Sequence, residues 1–222
     1  MDTWRRFHDR HEAGQLLARQ LTPYKGRDDV IVFALPRGGV PVGYEIAREL
    51  NAPLDVFVVR KLGVPWQPEL AMGAIAGDGI EVLNGDVVTG YSIPPQVIRA
   101  VAEREGDELK RRLVQYRGDR PFPSVTGKIA ILVDDGLATG STMKAAVRAV
   151  RQKRPGSVVV AVPVAAADTC KELRREVDDI ICLHAPHEFS AVGLWYDDFS
   201  QTTDEEVRHL LGQAAIAQSP VH

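Results

Sequence analysis

The chain has 222 residues, 45% of them hydrophobic and 26% charged, with a formal net charge of −3. That balance supports a sizeable globular core and offers no electrostatic footprint for nucleic acid or an anionic membrane surface. The longest apolar run, VVVAVPVAAA at 158–167, is about half of what a membrane span needs and contains Pro163.

The N-terminal stretch MDTWRRFHDRHE has no apolar core of the kind a secretory signal carries. The two cysteines, Cys170 and Cys182, make no disulfide framework, so the expected location is a reducing cytoplasm. An amphipathic helix is expected over about 8–21, then a buried strand in DVIVFAL that ends at Pro36. PRGG at 36–39 turns into the helical stretch VPVGYEIAREL, and LDVFVVR at 54–60 reads as a second strand. In the next stretch, KLGVPWQPEL is rich in Gly and Pro and reads as mobile. Two short strand-like runs around Gly77, Asp78 and Gly79 then signal a β-hairpin. SIPP opens a long charged helix over about 95–117, with its prolines where a helix tolerates them. KIAILVDD is a third strand, followed by a helix from about Ser141 to Lys153. SVVVAVPV, a helix through CKELRREV, and DIICLHA repeat the alternation. A segment of Pro, aromatic and Asp residues leads to a last helix, TDEEVRHLLGQA, and the tail at 214–222 reads as disordered.

Continuous apolar strands alternating with helices predict an α/β fold, a central mainly parallel sheet with helices on both faces. One domain is expected over 1–213. In such folds ligands bind at the carboxyl ends of the strands, and PRGG, RKLG and DDGLATGST are all expected there.

The most informative segment is ILVDDGLATGSTM, 131–143. Asp134 and Asp135 diverge at the strand tip, and neither carboxylate tolerates burial without partners. The vicinal hydroxyls of a sugar suit them, with a divalent cation offsetting their charge. Gly136 and Gly140 let the chain turn. Thr139, Ser141 and Thr142 supply hydroxyls, and the amides of the new helix make a cradle for a monophosphate. A plainer reading stays open at this point: acids and hydroxyls at a strand end also serve as helix N-caps. No GxxxxGK[ST] and no GxGxxG occurs in the chain.

ILVDDGLATGSTM resembles the phosphoribosyl-diphosphate (PRPP) signature of the type I phosphoribosyltransferases. PRGG resembles their pyrophosphate loop, and FSAVGLWYDDF at 189–199 resembles the base-binding hood of the purine enzymes. The whole chain is most similar to bacterial phosphoribosyltransferases of unassigned substrate. The resemblance implies transfer of the 5-phosphoribosyl group from PRPP to a nucleobase-like acceptor, with Mg²⁺ and release of diphosphate. It implies a small hood, from about 62–92 and 185–200. Ribose and 5-phosphate then fall to Asp134, Asp135, Gly136, Leu137, Ala138, Thr139, Gly140, Ser141 and Thr142. Diphosphate falls to Pro36, Arg37, Gly38 and Gly39, often with a strained or cis peptide at Pro36–Arg37, and to Arg60 and Lys61. Phe189, Ala191, Val192 and Trp195 would meet the acceptor, and Asp197 the metal. Catalysis would rest on Asp134, Asp135 and Arg37. Hypoxanthine-guanine enzymes carry an Asp where this chain has Ala138, so a carboxylate assisting the base must come from elsewhere, with Glu69 as the candidate.

Lys110, Arg111, Arg112, Arg117 and Arg120 read as a solvated helix face, or as reaching a partner subunit's site in a homodimer. His184 and His187 lack metal-ligand spacing. Two other functions share the fold: a PRPP- or nucleotide-sensing regulator without turnover, and a hydrolase acting on a phosphoribosyl compound. No nucleic acid or membrane partner is expected.

Overall fold

The structure, a computed structural model, describes residues 5–218. In chain order the elements are α1 (Arg10–Gln20), β1 (Val30–Ala34), α2 (Gly39–Leu50), β2 (Leu54–Val56), β3 (Val59–Val64), β4 (Gln67–Ala76), β5 (Ile80–Leu83), α3 (Gly85–Gly90), α4 (Pro95–Arg117), β6 (Ile129–Val133), α5 (Ser141–Gln152), β7 (Ser157–Val164), α6 (Ala167–Leu173), β8 (Asp179–His184) and α7 (Asp204–Ala217).

β1, β6 and β7 lack polar alternation because both of their faces are covered. They form, with β2 and β8, a five-stranded parallel sheet in the order β2-β1-β6-β7-β8. Alternate residues enter opposite layers. Val32 and Ala34 of β1 join Val133 of β6 in one core with Leu17, Ile46, Leu109 and Leu210, contributed by α1, α2, α4 and α7. Ile31 and Phe33 join Leu132 and Val160 in the other, against Met143, Val147 and Leu173 of α5 and α6.

From β1 the chain crosses to β2 on one side, and from β6 it crosses to β7 on the other. The sheet therefore reverses direction between β1 and β6, the place where open α/β sheets leave a crevice for ligands. Ala34 lies opposite Val133 at that point, and the Leu35 amide donates to the Val133 carbonyl at 2.8 Å.

Two sequence expectations fail here. LDVFVVR is not one strand. It leaves the main sheet after Val56, and β3, β4 and β5 form a separate antiparallel sheet of three strands. The supposedly mobile KLGVPWQPEL is thereby the arm of a hairpin, with the exposed Trp66 between β3 and β4. The expected tail fails as well. Val207, Leu210, Leu211 and Ala214 keep helical spacing and are buried, so α7 continues past 213 to Ala217. Gln218 Nε2 then donates to the Ala52 carbonyl at 2.5 Å. The rest of that tail, 219–222, lies outside the described residues. Among the described residues no helix is long and apolar enough to cross a membrane.

Candidate ligand site at the sheet reversal

PRGG and the acid pair meet at the reversal. The α2 N-terminus approaches the acids so closely that only glycine fits. A Cβ on Gly38 would lie 2.0 Å from Asp135 Oδ2, and one on Gly39 would lie 2.7 Å from the Val133 carbonyl oxygen. The Pro36–Arg37 peptide is cis. Gly39 and Val40 donate to Leu35 and Arg37 carbonyls at 3.1 Å. Among the described residues the amides of Arg37 and Gly38 have no acceptor.

The loop after β6 is held by its far end. Leu137 donates to the Val164 carbonyl at 2.9 Å and accepts from Ala166 at 3.0 Å, and Thr169 Oγ1 donates to the Ala138 carbonyl at 2.5 Å. Gly140 has φ +65°, where a side chain would be strained and would meet Thr169 at 2.6 Å. The N-cap reading can now be decided. Asp9 caps α1 and Thr203 caps α7, each through its side chain, whereas α5 has no side-chain cap. Thr139 and Ser141 have their hydroxyls 3.2 Å apart, within bonding reach of each other. Among the described residues the amides of Ala138, Thr139, Gly140, Ser141 and Thr142 have no acceptor. Free amides at a helix start attract an anion.

The two acids are unequal. Asp134 Oδ1 accepts from the Asp135 amide at 2.9 Å. Burial, and then the neighbouring Asp135, push the Asp134 carboxyl well above the usual carboxylate range. Burial also raises Asp135, but the guanidinium of Arg10 opposes it. Arg10 Nε donates to Asp135 Oδ2 at 2.8 Å and its NH1 donates to the Ser200 carbonyl at 2.7 Å. Tyr196 donates its hydroxyl to the Asp135 carbonyl at 2.6 Å, and burial raises its phenol. Neither Arg10 nor Tyr196 was marked by the sequence. Arg10 sits 125 residues from Asp135, on a helix whose charges look like any solvated face.

Other expected residues lie elsewhere. Arg60 and Lys61 do not end a strand of the main sheet. They belong to β3, where Arg60 grips Glu105 of α4 at 2.6 and 3.0 Å. Glu69 is on β4, almost fully exposed, with Lys61 Nζ 3.3 Å from it. None of the three is bonded to the acid pair. Arg37 is about one-third exposed, its NH1 3.9 Å from Asp204 Oδ1, the acceptor of the Tyr116 hydroxyl at 2.6 Å. Arg117 is not on a solvated face. It is buried, 3.0 Å from Asp55.

In the hood segment Val192 reaches the phosphate-loop side, where a Cβ on Gly136 would meet its Cγ1 at 2.5 Å. Trp195 is half-buried, its ring stacked on His184 at 5.7 Å. Phe189 is half-buried, and Ala191 and Asp197 are exposed. Among the described residues no group of three His, Cys, Asp or Glu side chains gathers to hold a metal. Mg²⁺ needs no such cage, since it takes one or two carboxylates with substrate phosphates and water. The acid pair and Asp197 fit that limited demand.

A concavity of about 810 Å³ opens elsewhere, between β4–β5 and α4, lined by Ile75, Ala102, Leu109 and charged residues of both signs. It contains none of the loop residues, and the candidate site at the sheet reversal rests on chemistry rather than volume.

The description "Phosphoribosyl transferase domain" belongs to a family profile that matches residues 4–198. Two Mycobacterium tuberculosis proteins, provisionally named phosphoribosyl transferases, are 48% identical over 208 residues, covering 94% of this chain and 47% of their own length. The chain thus spans about half the length of these curated relatives. A crystal structure of the TT1426 protein from Thermus thermophilus is 42% identical, with TM-score 0.83 over 94% of this chain and 98% of that one. The AQ2163 protein from Aquifex aeolicus is 13% identical with TM-score 0.50, over 83% and 78% of the two chains, and shares the fold alone.

Proposed function

The chain belongs to the phosphoribosyl transferase domain family, and from that premise we propose that it transfers the 5-phosphoribosyl group of PRPP to a nucleobase-like acceptor, with Mg²⁺ and release of diphosphate. One observation carries this reading. An acid pair and a run of free amides, from Ala138 to Thr142, occupy one strand-to-helix loop beside a second loop with free amides at Arg37 and Gly38. Acids suit the ribose hydroxyls, and the two amide sets suit a phosphate on each side of the sugar.

The acceptor nitrogen forms a bond to the anomeric carbon as the bond from that carbon to the diphosphate oxygen breaks. Positive charge builds on the sugar and negative charge on the leaving group. Asp134 and Asp135 hold the ribose hydroxyls and place a negative field beside the developing cation. The amides of Arg37 and Gly38 receive the diphosphate as donors set in place before the charge appears, and the Arg37 guanidinium joins them. Arg37 stands only loosely engaged by Asp204, so it is free to turn to an anion. Asp134 and Asp197 are the side chains to hold Mg²⁺, whose role when bound is to neutralise phosphate charge. Val192, lying over Gly136, sets the acceptor against the sugar.

The test is diphosphate release from PRPP and Mg²⁺ across a panel of purine and pyrimidine bases, against a control without acceptor. Base-dependent release is expected, and the Asp134→Asn, Asp135→Asn double variant should lose calorimetric PRPP binding while keeping its circular dichroism. Unchanged affinity in that variant refutes the ribose assignment. Release that no base accelerates favours the hydrolase, and binding without release favours the regulator.

A further inference from the structure

We propose that Arg10 is a positioning residue for this site, clamping Asp135 and tying the acceptor hood to it, so that α1 belongs to the machinery. The proposal rests on the reading that Asp135 holds the ribose.

Arg10 spends its whole side chain on this one corner. Its side chain is 11% exposed. Nε bonds Asp135 Oδ2, NH1 bonds the Ser200 carbonyl, and the guanidinium carbon lies 3.9 Å from the Phe199 ring centroid. Asp135 Oδ2 is thereby wedged between Arg10 and the backbone of Gly38. Tyr196 fixes the main chain of the same residue through its carbonyl. Side chain and backbone of Asp135 are each pinned by a separate partner, which leaves little rotation about either. Tyr196, Phe199 and Ser200 continue the hood segment, so that segment cannot shift against Asp135 without breaking an Arg10 contact.

Stability alone is a poor reason for such a pair. A buried ion pair often contributes no more than well-packed apolar side chains of similar volume. What it does supply is a fixed direction, because a guanidinium presents its donors in a rigid plane that an ammonium lacks. Orientation matters here because misplacing a reacting group by about 1 Å costs on the order of a hundredfold in rate.

The experiment is a double-variant cycle read by calorimetry with Mg–PRPP and with ribose 5-phosphate. It uses the wild type, Arg10→Lys, Asp135→Asn and the combination, with thermal unfolding recorded for each. Arg10→Lys should weaken PRPP binding by about tenfold or more, the scale of a lost charge-assisted hydrogen bond. In the combined variant the losses should fall well short of their sum, because both changes act on one contact. Guanidinium ion added below denaturing concentration should partly restore Arg10→Ala. If Arg10→Ala fails to fold, the lysine cycle decides. Losses that add and track thermal stability would make Arg10 a structural residue and overturn the proposal. So would affinity that stays at the wild-type value in Arg10→Lys. If the wild type binds neither ligand, the reading of Asp135 fails and the proposal falls with it. If the wild type binds and only the cycle fails, Arg10 alone is misassigned.

Discussion

Gly38→Ala isolates the geometry of the site from its chemistry. Gly38 has φ −60° and ψ −32°, ordinary helical values, so alanine meets no backbone strain there. The obstacle is one contact: the added Cβ would lie 2.0 Å from Asp135 Oδ2 and 2.7 Å from its Cγ, with Arg10 Nε at 3.3 Å. Ordinary contact begins near 3.4 Å, so the carboxylate must retreat by more than about 1 Å, a displacement worth on the order of a hundredfold in rate at a reacting centre. It cannot retreat freely, because Arg10 holds the carboxylate and Tyr196 holds the carbonyl of the same residue. Overpacking of this kind costs about 1–3 kcal/mol, which in a chain of this size lowers the thermal midpoint by roughly 2–12 °C. The assay pairs thermal unfolding with Mg–PRPP calorimetry, and adds Asp135→Ala in the Gly38→Ala background. Asp135→Ala should itself cost stability by leaving Arg10 without its carboxylate. The further step to Gly38→Ala should therefore cost less in its background than in the wild type, and no affinity should return. Wild-type affinity and midpoint in Gly38→Ala would refute the packing of α2 against the acid pair.

Arg37→Ala should lower turnover by about a hundredfold, the scale of losing one preorganised donor, while ribose 5-phosphate, which lacks diphosphate, keeps its affinity. Equal losses for both ligands in calorimetry would make Arg37 structural. Because Ala138 stands where hypoxanthine-guanine enzymes have a carboxylate, guanine and hypoxanthine should be poor acceptors. Turnover of either at roughly 1 per second or faster would overturn that expectation. His11 bonds the buried Glu45 at 3.0 Å, and that bond raises its pKa above the ordinary 6.5. A raised folded-state pKa means the stabilisation is complete below about 6.5 and is lost as pH climbs through the folded value. Asp9 and Glu206 add to the same field. The midpoint difference between wild type and His11→Gln should therefore shrink from pH 5.5 to pH 9, and a constant difference would exclude the charged pair.

How much the sequence disclosed follows from where the signal resides. The span of α4, opened by Pro94 and Pro95, and the strands β1, β6 and β7 were legible because proline geometry and double-sided burial act locally. The reversal of the sheet brought PRGG and the acid pair together as their positions at strand ends implied. The break in LDVFVVR was not legible, since Val58 and Val59 suit any strand, and only the pairing of β3 with β4 shows that the chain has changed sheets. Arg60 accordingly lies on β3, bonded to Glu105, rather than at the end of a main-sheet strand. The stacking of Trp195 on His184 was equally opaque, since an aromatic in a hood segment carries no mark of which ring it meets. The last helix was expected to end at Ala214, where the tail begins, yet Ala214 is buried and α7 runs on to Ala217.

That last helix has an architectural consequence. Its first residue, Asp204, stands beside Arg37 at the ligand edge of the sheet, and Gln218, just past its end, bonds Ala52, immediately ahead of β2. The strands are parallel, so Ala52 marks the edge opposite the loops. α7 is therefore a strut about 21 Å long at 1.5 Å per residue, carrying the chain from the reactive rim to the base of the molecule. A tether, label or immobilising surface attached beyond Gln218 would start from that base and leave the mouth of the site open.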